Sequence, residues 1–281
     1  MLMRLANIRP RCFPGIPRVL RSLVLVVVAA GFAAGCATRP PSTDPEAVAE
    51  YQQLNDPAEP FNRSMYSIHQ EIDRFVLRPV AVGYRAVVPE PVRKGISNVL
   101  GNLRTPVILL NDMLQGEPRR AGDTLGRFLV NTTVGFAGIF DVALHHFGVP
   151  GHTEDWGQTL ARWGVGEGPY LFIPVLGPSN PRDLVGFGLG IASDPLTWVG
   201  QGATVQILDG ARAGVTVVDT REQLIDVLDA VQKESLDPYA TIRSAYRQRR
   251  AAEISNSTDR PAPARSGSTG FSTGTGLVAP R

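Results

Sequence analysis

Apolar positions fall into two patterns along this chain. The first is one unbroken run, Leu23 to Ala34, twelve residues long. At 1.5 Å per residue a helix of that length covers about 18 Å, well short of the roughly 30 Å of bilayer hydrocarbon. The second is helical periodicity. Phe61, Met65, Ile68, Ile72 and Phe75 follow one another at steps of four, three, four and three, which places them on one helical face. Val92, Ile96, Val99, Leu100 and Leu103 do the same. Thr105-Pro106 predicts a new helix that Gly116 closes, and another runs from about Pro118 to Val134. Gly135 and Gly138 then interrupt the apolar pattern before Ile139 to Phe147. Further helices are expected to start near Thr153, Pro181, Thr220 and Pro238, the last capped by Asp237. Between Thr204 and Val218 many residues are β-branched, but Leu208, Ala211, Val215 and Val218 fit a helix better than alternation. The fold class expected is all-α.

The apolar run changes meaning with its surroundings. Five arginines precede it (Arg4, Arg9, Arg11, Arg18 and Arg21), no acidic residue occurs before Asp44, and Ala33-Ala34-Gly35 leads into Cys36. A positive leader, a short apolar core and small residues at a cleavage point describe a secretory signal over residues 1–35. The junction resembles the lipobox of bacterial lipoproteins, although position −3 is Ala33 where leucine is commoner. A signal cut elsewhere, with Cys36 a bystander, is the alternative. The resemblance implies a lipidated Cys36. Ala37 after it, in place of aspartate, favours the outer membrane by the sorting rule of enterobacterial lipoproteins.

Charge follows the same division. The chain has 28 basic and 26 acidic residues, and removing the five leader arginines leaves 23 against 26, a net charge of −3. No basic stripe with interleaved aromatics points to nucleic acid. Cys12 leaves with the signal, so Cys36 is the one cysteine of the mature chain and no disulfide can form within it. Residues 36–57 read as the lipidated end and a tether, 58–254 as one helical domain, and 255–281, rich in Ser, Thr, Gly and Pro, as a disordered tail.

Within the domain, Phe128 to Ala143 carries Asp141 as its one charge, and ten uncharged residues follow Arg182-Asp183. These stretches are too short or interrupted to cross a bilayer. They form either a glycine-rich core or helices that lie in one leaflet or line an amphipathic cavity. No catalytic constellation emerges. His145, His146 and His152 with Glu154 and Asp155 lack metal-ligand spacing. Gly186-Phe187-Gly188-Leu189-Gly190 follows no strand and reads as helix packing. No serine sits in a Gly-x-Ser-x-Gly elbow. Arg243, Arg247 and Arg250 share a helical face. They suit lipid phosphates or, by the preferred reading, the C-terminal helix dipole.

A set of ordered stretches resembles one family, the MlaA (VacJ) lipoproteins of the phospholipid-asymmetry pathway. They include Asp56-Pro57, Phe61 to Tyr66, Arg78 to Val82, Asn111 with Leu114 to Pro118, and Arg127 to Thr132. They continue through Gly135 to Ala143, Gly157 to Leu160, Gly164 to Tyr170, Pro174 to Ser179, Arg182-Asp183 and Asp237 to Tyr239 with Tyr246 and Gln248-Arg249. The resemblance implies a ring of amphipathic helices in the inner leaflet of the outer membrane, around an amphipathic channel. It implies phospholipid as cargo, a trimeric porin and a soluble periplasmic carrier as partners, and no cofactor or catalytic residue. A structural lipoprotein that docks on an outer-membrane protein without moving lipid is the competing reading, and a lipid hydrolase a weaker one. Gly135 and Gly138 are candidate hinges of an apolar hairpin beside the channel, or the glycines of a fixed tight turn.

Overall fold

The computed structural model describes residues 54–198 and 203–256. Cys36, nearly all of the tether and the tail from residue 257 lie outside that range. Eleven helices and one small hairpin make up the described part: α1 (Glu59–Ile72), α2 (Arg78–Val87), α3 (Glu90–Leu114), α4 (Pro118–Thr133), α5 (Val142–Phe147), α6 (Trp156–Arg162), β1 (Leu171–Ile173) and β2 (Gly177–Ser179), then α7 (Pro181–Ser193), α8 (Pro195–Trp198), α9 (Ala203–Gln223), α10 (Ile225–Glu234) and α11 (Pro238–Ile254). The fold is all-α apart from the antiparallel pair, in which Phe172 faces Pro178.

Helices α1 and α2 are one continuous run joined by a π-helical turn, Asp73–Leu77. Pro79 has no N–H to give the carbonyl of Phe75, and the turn before it widens so that the N–H of Arg78 reaches the carbonyl of Asp73. A bend of this kind lets a long helix wrap around a centre. Pro106 has no such effect. Thr105 does not open a helix. It returns its hydroxyl to the carbonyl of Gly101 at 3.2 Å, and α3 continues through 25 residues. The expected break therefore does not exist, because packing along α4 and α9 outweighs one missing N–H. Two other boundaries move as well. Asp155, not Thr153, caps α6 by accepting from Gln158 N at 2.9 Å. Helix α9 runs through Thr220 to Gln223, and α10 starts only at Ile225.

Packing between elements closes a circuit. Helix α2 lies on α9, α9 on α3, α3 on α6, and α6 on α11. From there β2 and β1 lead back to α1 and the π turn. Helix α4 folds back on α3, and α7 packs on α6 so tightly that a Cβ on Gly186 would stand 2.8 Å from the Cα of Gly157. The Gly186 to Gly190 stretch is helix packing, as its sequence context suggests. The elements form a ring.

What holds the ring is polar. Among the described residues six apolar residues are buried against nineteen polar or charged ones, while Phe75, Phe136, Phe140 and Phe147 are each at least 60% exposed. A water-soluble domain shows the reverse distribution, so the outside of this one is suited to a non-aqueous neighbour. The aromatic core is small: Tyr170, Phe172 and Tyr239, edge to face with Tyr66. Around it Asn62 donates to Asp56 Oδ1 at 2.7 Å and to the Tyr170 carbonyl at 3.0 Å, and accepts from Phe172 N at 3.0 Å. Asp56 also takes the Tyr239 hydroxyl and, at 2.6 Å, Arg243 Nη1.

Candidate functional site: an amphipathic cavity inside the ring

The ring encloses a cavity of about 1170 Å³. Ordinary small-molecule pockets reach roughly 300–1,000 Å³. Its apolar wall comes from one face of α3 (Leu100, Val107, Ile108), from Phe187 and Ile191 of α7, and from Val217 of α9. On α3 and α7 these positions are one or two turns apart, so each of those two helices presents a stripe. Its polar wall is built from ion pairs. Arg221 holds Asp73 of the π turn through two bonds of 2.6 and 2.8 Å. Arg78 holds Asp229 at 2.7 Å, and Arg212 holds Asp194 at 2.6 Å. Arg78's hydrogen bond and charge keep the Asp229 carboxyl below its ordinary value. His69, beside the hairpin, is pushed down by burial, and its Nδ1 accepts from Val175 N at 3.1 Å, as a neutral imidazole does. Such a wall stays charged yet locally neutral.

Near the cavity lies a buried polar cluster. Asn111 accepts from Thr159 at 2.6 Å, Asp112 accepts from Thr124 at 2.6 Å, and His152 Nε2 stands 3.0 Å from Asp112. Glu154 receives Gln115 and Arg120 at 2.7 Å each. Burial raises its pKa in spite of them. His145, His146, His152, Glu154 and Asp155 are thus dispersed: His145 and His146 are exposed on α5, His152 and Glu154 belong to this cluster, and Asp155 caps α6.

The three arginines of α11 overturn both expectations for them. Arg250 holds Asp155 through two bonds of 2.7 Å and Asp183 through a third of 2.7 Å. Arg243 holds Asp56, and Arg247 reaches Glu167 at 3.2 Å. They join distant segments of the ring through carboxylates and do more than face a helix dipole. Desolvation works against the Arg250 charge, but its two carboxylates outweigh that and raise its pKa. Asp155 and Asp183 are pushed up by burial and pulled down further by Arg250, ending below the usual carboxylate range.

Gly135 and Gly138 sit in a turn between α4 and α5, away from the large cavity's wall. Gly138 has φ +93°, and a Cβ there would stand 2.5 Å from Asn102 Cβ. A Cβ on Gly135 would meet the carbonyl oxygens of Phe140 and, at 2.5 Å, Asn131. Phe136 and Ala137 also have positive φ, 52° and 55°. The turn is closed by Gly138 N to Asn131 O at 2.8 Å and Phe140 N to Gly135 O at 3.0 Å. Sequence reasoning missed the cavity's arginines. A signal was present, since Arg104 falls on the apolar face marked by Leu100 and Ile108.

Fold and cavity define a helical ring with an amphipathic interior and an apolar exterior, in which no helix among the described residues is long and apolar enough to cross a membrane. A family model described as MlaA lipoprotein matches residues 54–253. The chain belongs to that family. Relatives named "Intermembrane phospholipid transport system lipoprotein MlaA" include the protein of Escherichia coli K12, 38% identical over 71% of this chain and 78% of its own. That of Haemophilus influenzae is 31% identical over 81% of this chain and 88% of its own. A solved structure described as the structural basis for maintenance of bacterial outer membrane lipid asymmetry aligns with TM-score 0.63 and 34% identity, covering 71% of this chain and 98% of that one.

Proposed function

We propose that this protein withdraws mislocalised phospholipids from the outer leaflet of the outer membrane. The lipid passes through the central cavity to a soluble periplasmic carrier, which keeps the membrane asymmetric. The observation that carries this reading is a large cavity with one apolar and one ion-paired wall inside a ring whose outer face exposes phenylalanines. A two-chain phospholipid has on the order of 30 methylenes, and bringing them into water costs roughly 25 kcal/mol at about 0.8 kcal/mol each. A passage that keeps chains dry and head group wet removes that barrier with no covalent step. Acylated Cys36 anchors the ring at the periplasmic face of the outer membrane, and a trimeric porin holds it in place. The family membership and the named relatives support this reading.

The test is lipid co-purification. Protein extracted in mild detergent should carry phospholipid, and Val107→Asp in the apolar wall should release it while the fold persists. Folded wild-type protein without lipid would favour a structural lipoprotein that only docks on a partner.

A further inference from the structure

One cation on the cavity wall stands apart from the rest. Arg78, Arg212 and Arg221 are each committed to a carboxylate. Arg74 lies against the ring of Phe75, 5.4 Å from its centroid. Arg104, at the middle of α3, makes no hydrogen bond or ion pair among the described residues and is exposed. Its neighbours one turn away, Leu100, Val107 and Ile108, all line the same cavity. A solvated guanidinium without a counter-ion, set on an otherwise apolar helical stripe, is available to an anionic ligand.

Arg104 also lines a second, smaller cavity of about 220 Å³. Most of the residues that line it are polar. Asn98 and Thr105 of α3 border it, as does the exposed Thr153. Its charged groups are Arg104, Arg127 and Asp141, and His152 is its other titratable residue. Arg127 is spent on Asp141 at 2.8 Å and on the Val149 carbonyl. Asp141 stays ionised: burial raises its pKa, but Arg127, Asn131 and Leu144 N outweigh that. Arg104 is therefore the unbalanced charge of the small cavity. Glu71 and Asp209 on the large cavity's wall are also free of ion pairs among the described residues, so the positive excess is local to this junction.

We propose that Arg104 binds the phosphodiester of a phospholipid at the boundary between the two cavities, with the polar head group in the smaller and the acyl chains along Leu100, Val107 and Ile108 in the larger. The planar fork of arginine suits two phosphate oxygens at once. This rests on the transport reading above, and the experiment separates the two.

Full-length protein in detergent is titrated with fluorescent phosphatidylglycerol and, separately, with diacylglycerol bearing the same chains and no phosphate. Wild type should bind both, phosphatidylglycerol more tightly. Arg104→Gln should weaken phosphatidylglycerol about tenfold, or about 1.4 kcal/mol, and leave diacylglycerol unchanged, with unaltered melting because no partner is lost. Arg104→Lys should fall between. Equal binding of phosphatidylglycerol by wild type and Arg104→Gln would overturn the proposal and leave the transport reading standing. An equal fall for both ligands would also overturn it, by showing a structural role. Competition by millimolar inorganic phosphate as strong as that by lipid would assign the site to the free anion and overturn the head-group assignment. Wild type that binds neither lipid would fail the transport reading itself.

Discussion

The ring has two contrasting regions, the junction around α11 and the turn between α4 and α5. At the junction Arg250 is 8% exposed and bound to two carboxylates from different elements. At the turn Phe136 and Phe140 are 72% and 60% exposed, with backbone hydrogen bonds providing the closure. A water-soluble protein would place these chemistries the other way round. The inversion teaches that the ring gains little from burying apolar surface within itself. Charged pairs fix which segments meet, and the apolar groups are left for a surrounding that is not water.

The largest effect expected follows from breaking the junction. Arg250→Met leaves Asp183 buried beside Tyr246 and Arg182 without its main counter-ion, and should cost about 3–5 kcal/mol by denaturant unfolding. The same junction sets the acid limit. Asp155 and Asp183 have folded-state pKa values below the ordinary one, so their stabilisation is complete above roughly pH 4–5. It disappears as the pH falls through the folded values. Melting temperature should decline gently from pH 7 to about 5, because buried His69 resists the proton that the unfolded chain takes up, and fall steeply below that as Asp155 and Asp183 are protonated. A steep fall already at pH 6 would show that other groups set the acid limit.

At the turn, Gly138→Ala combines a positive φ with a contact on Asn102, and about 2–3 kcal/mol should be lost, read as reduced abundance and melting temperature. Gly135→Ala, blocked by the carbonyl oxygens of Asn131 and Phe140, should behave alike. A variant that keeps its stability yet lets phospholipid accumulate in the outer leaflet would instead mark the turn as a hinge.

Phe136→Ser tests the outer surface. It should leave unfolding in detergent-free buffer nearly unchanged and weaken vesicle partitioning by about 1.5–3 kcal/mol, the value of burying one phenylalanine. Unchanged partitioning would show that this face does not enter lipid. The smallest effect belongs to Lys94→Ala, whose pair with Glu90 at 2.6 Å is exposed on both sides. No more than about 0.5 kcal/mol should be lost, against several for the chemically similar pair at Arg250.

Helix existence was legible from the sequence because periodicity and caps are local. Asp237 before Pro238 does cap α11, its side chain accepting from Ala240 N at 3.1 Å. The all-α class and one chain-wide family resemblance were legible for the same reason, since short ordered motifs survive in one dimension. Boundaries at Thr105, Thr153 and Thr220 were not, because long-range packing decided whether a weak local signal was obeyed. The stretches that carry the resemblance, such as Asp56-Pro57, Asn111, Gln158-Thr159 and Asp183, turn out to be members of the polar junctions more than of the cavity wall.

By itself, then, the sequence determined a set of amphipathic helices and a family. Only the tertiary structure decided that the arginines of α11 face inward to carboxylates up to 187 residues away, and that Arg104 has no such partner among the described residues. The physical reason is that a charge's meaning lies in what stands within about 4 Å of it. In a closed ring those neighbours come from remote segments whose approach no local pattern encodes.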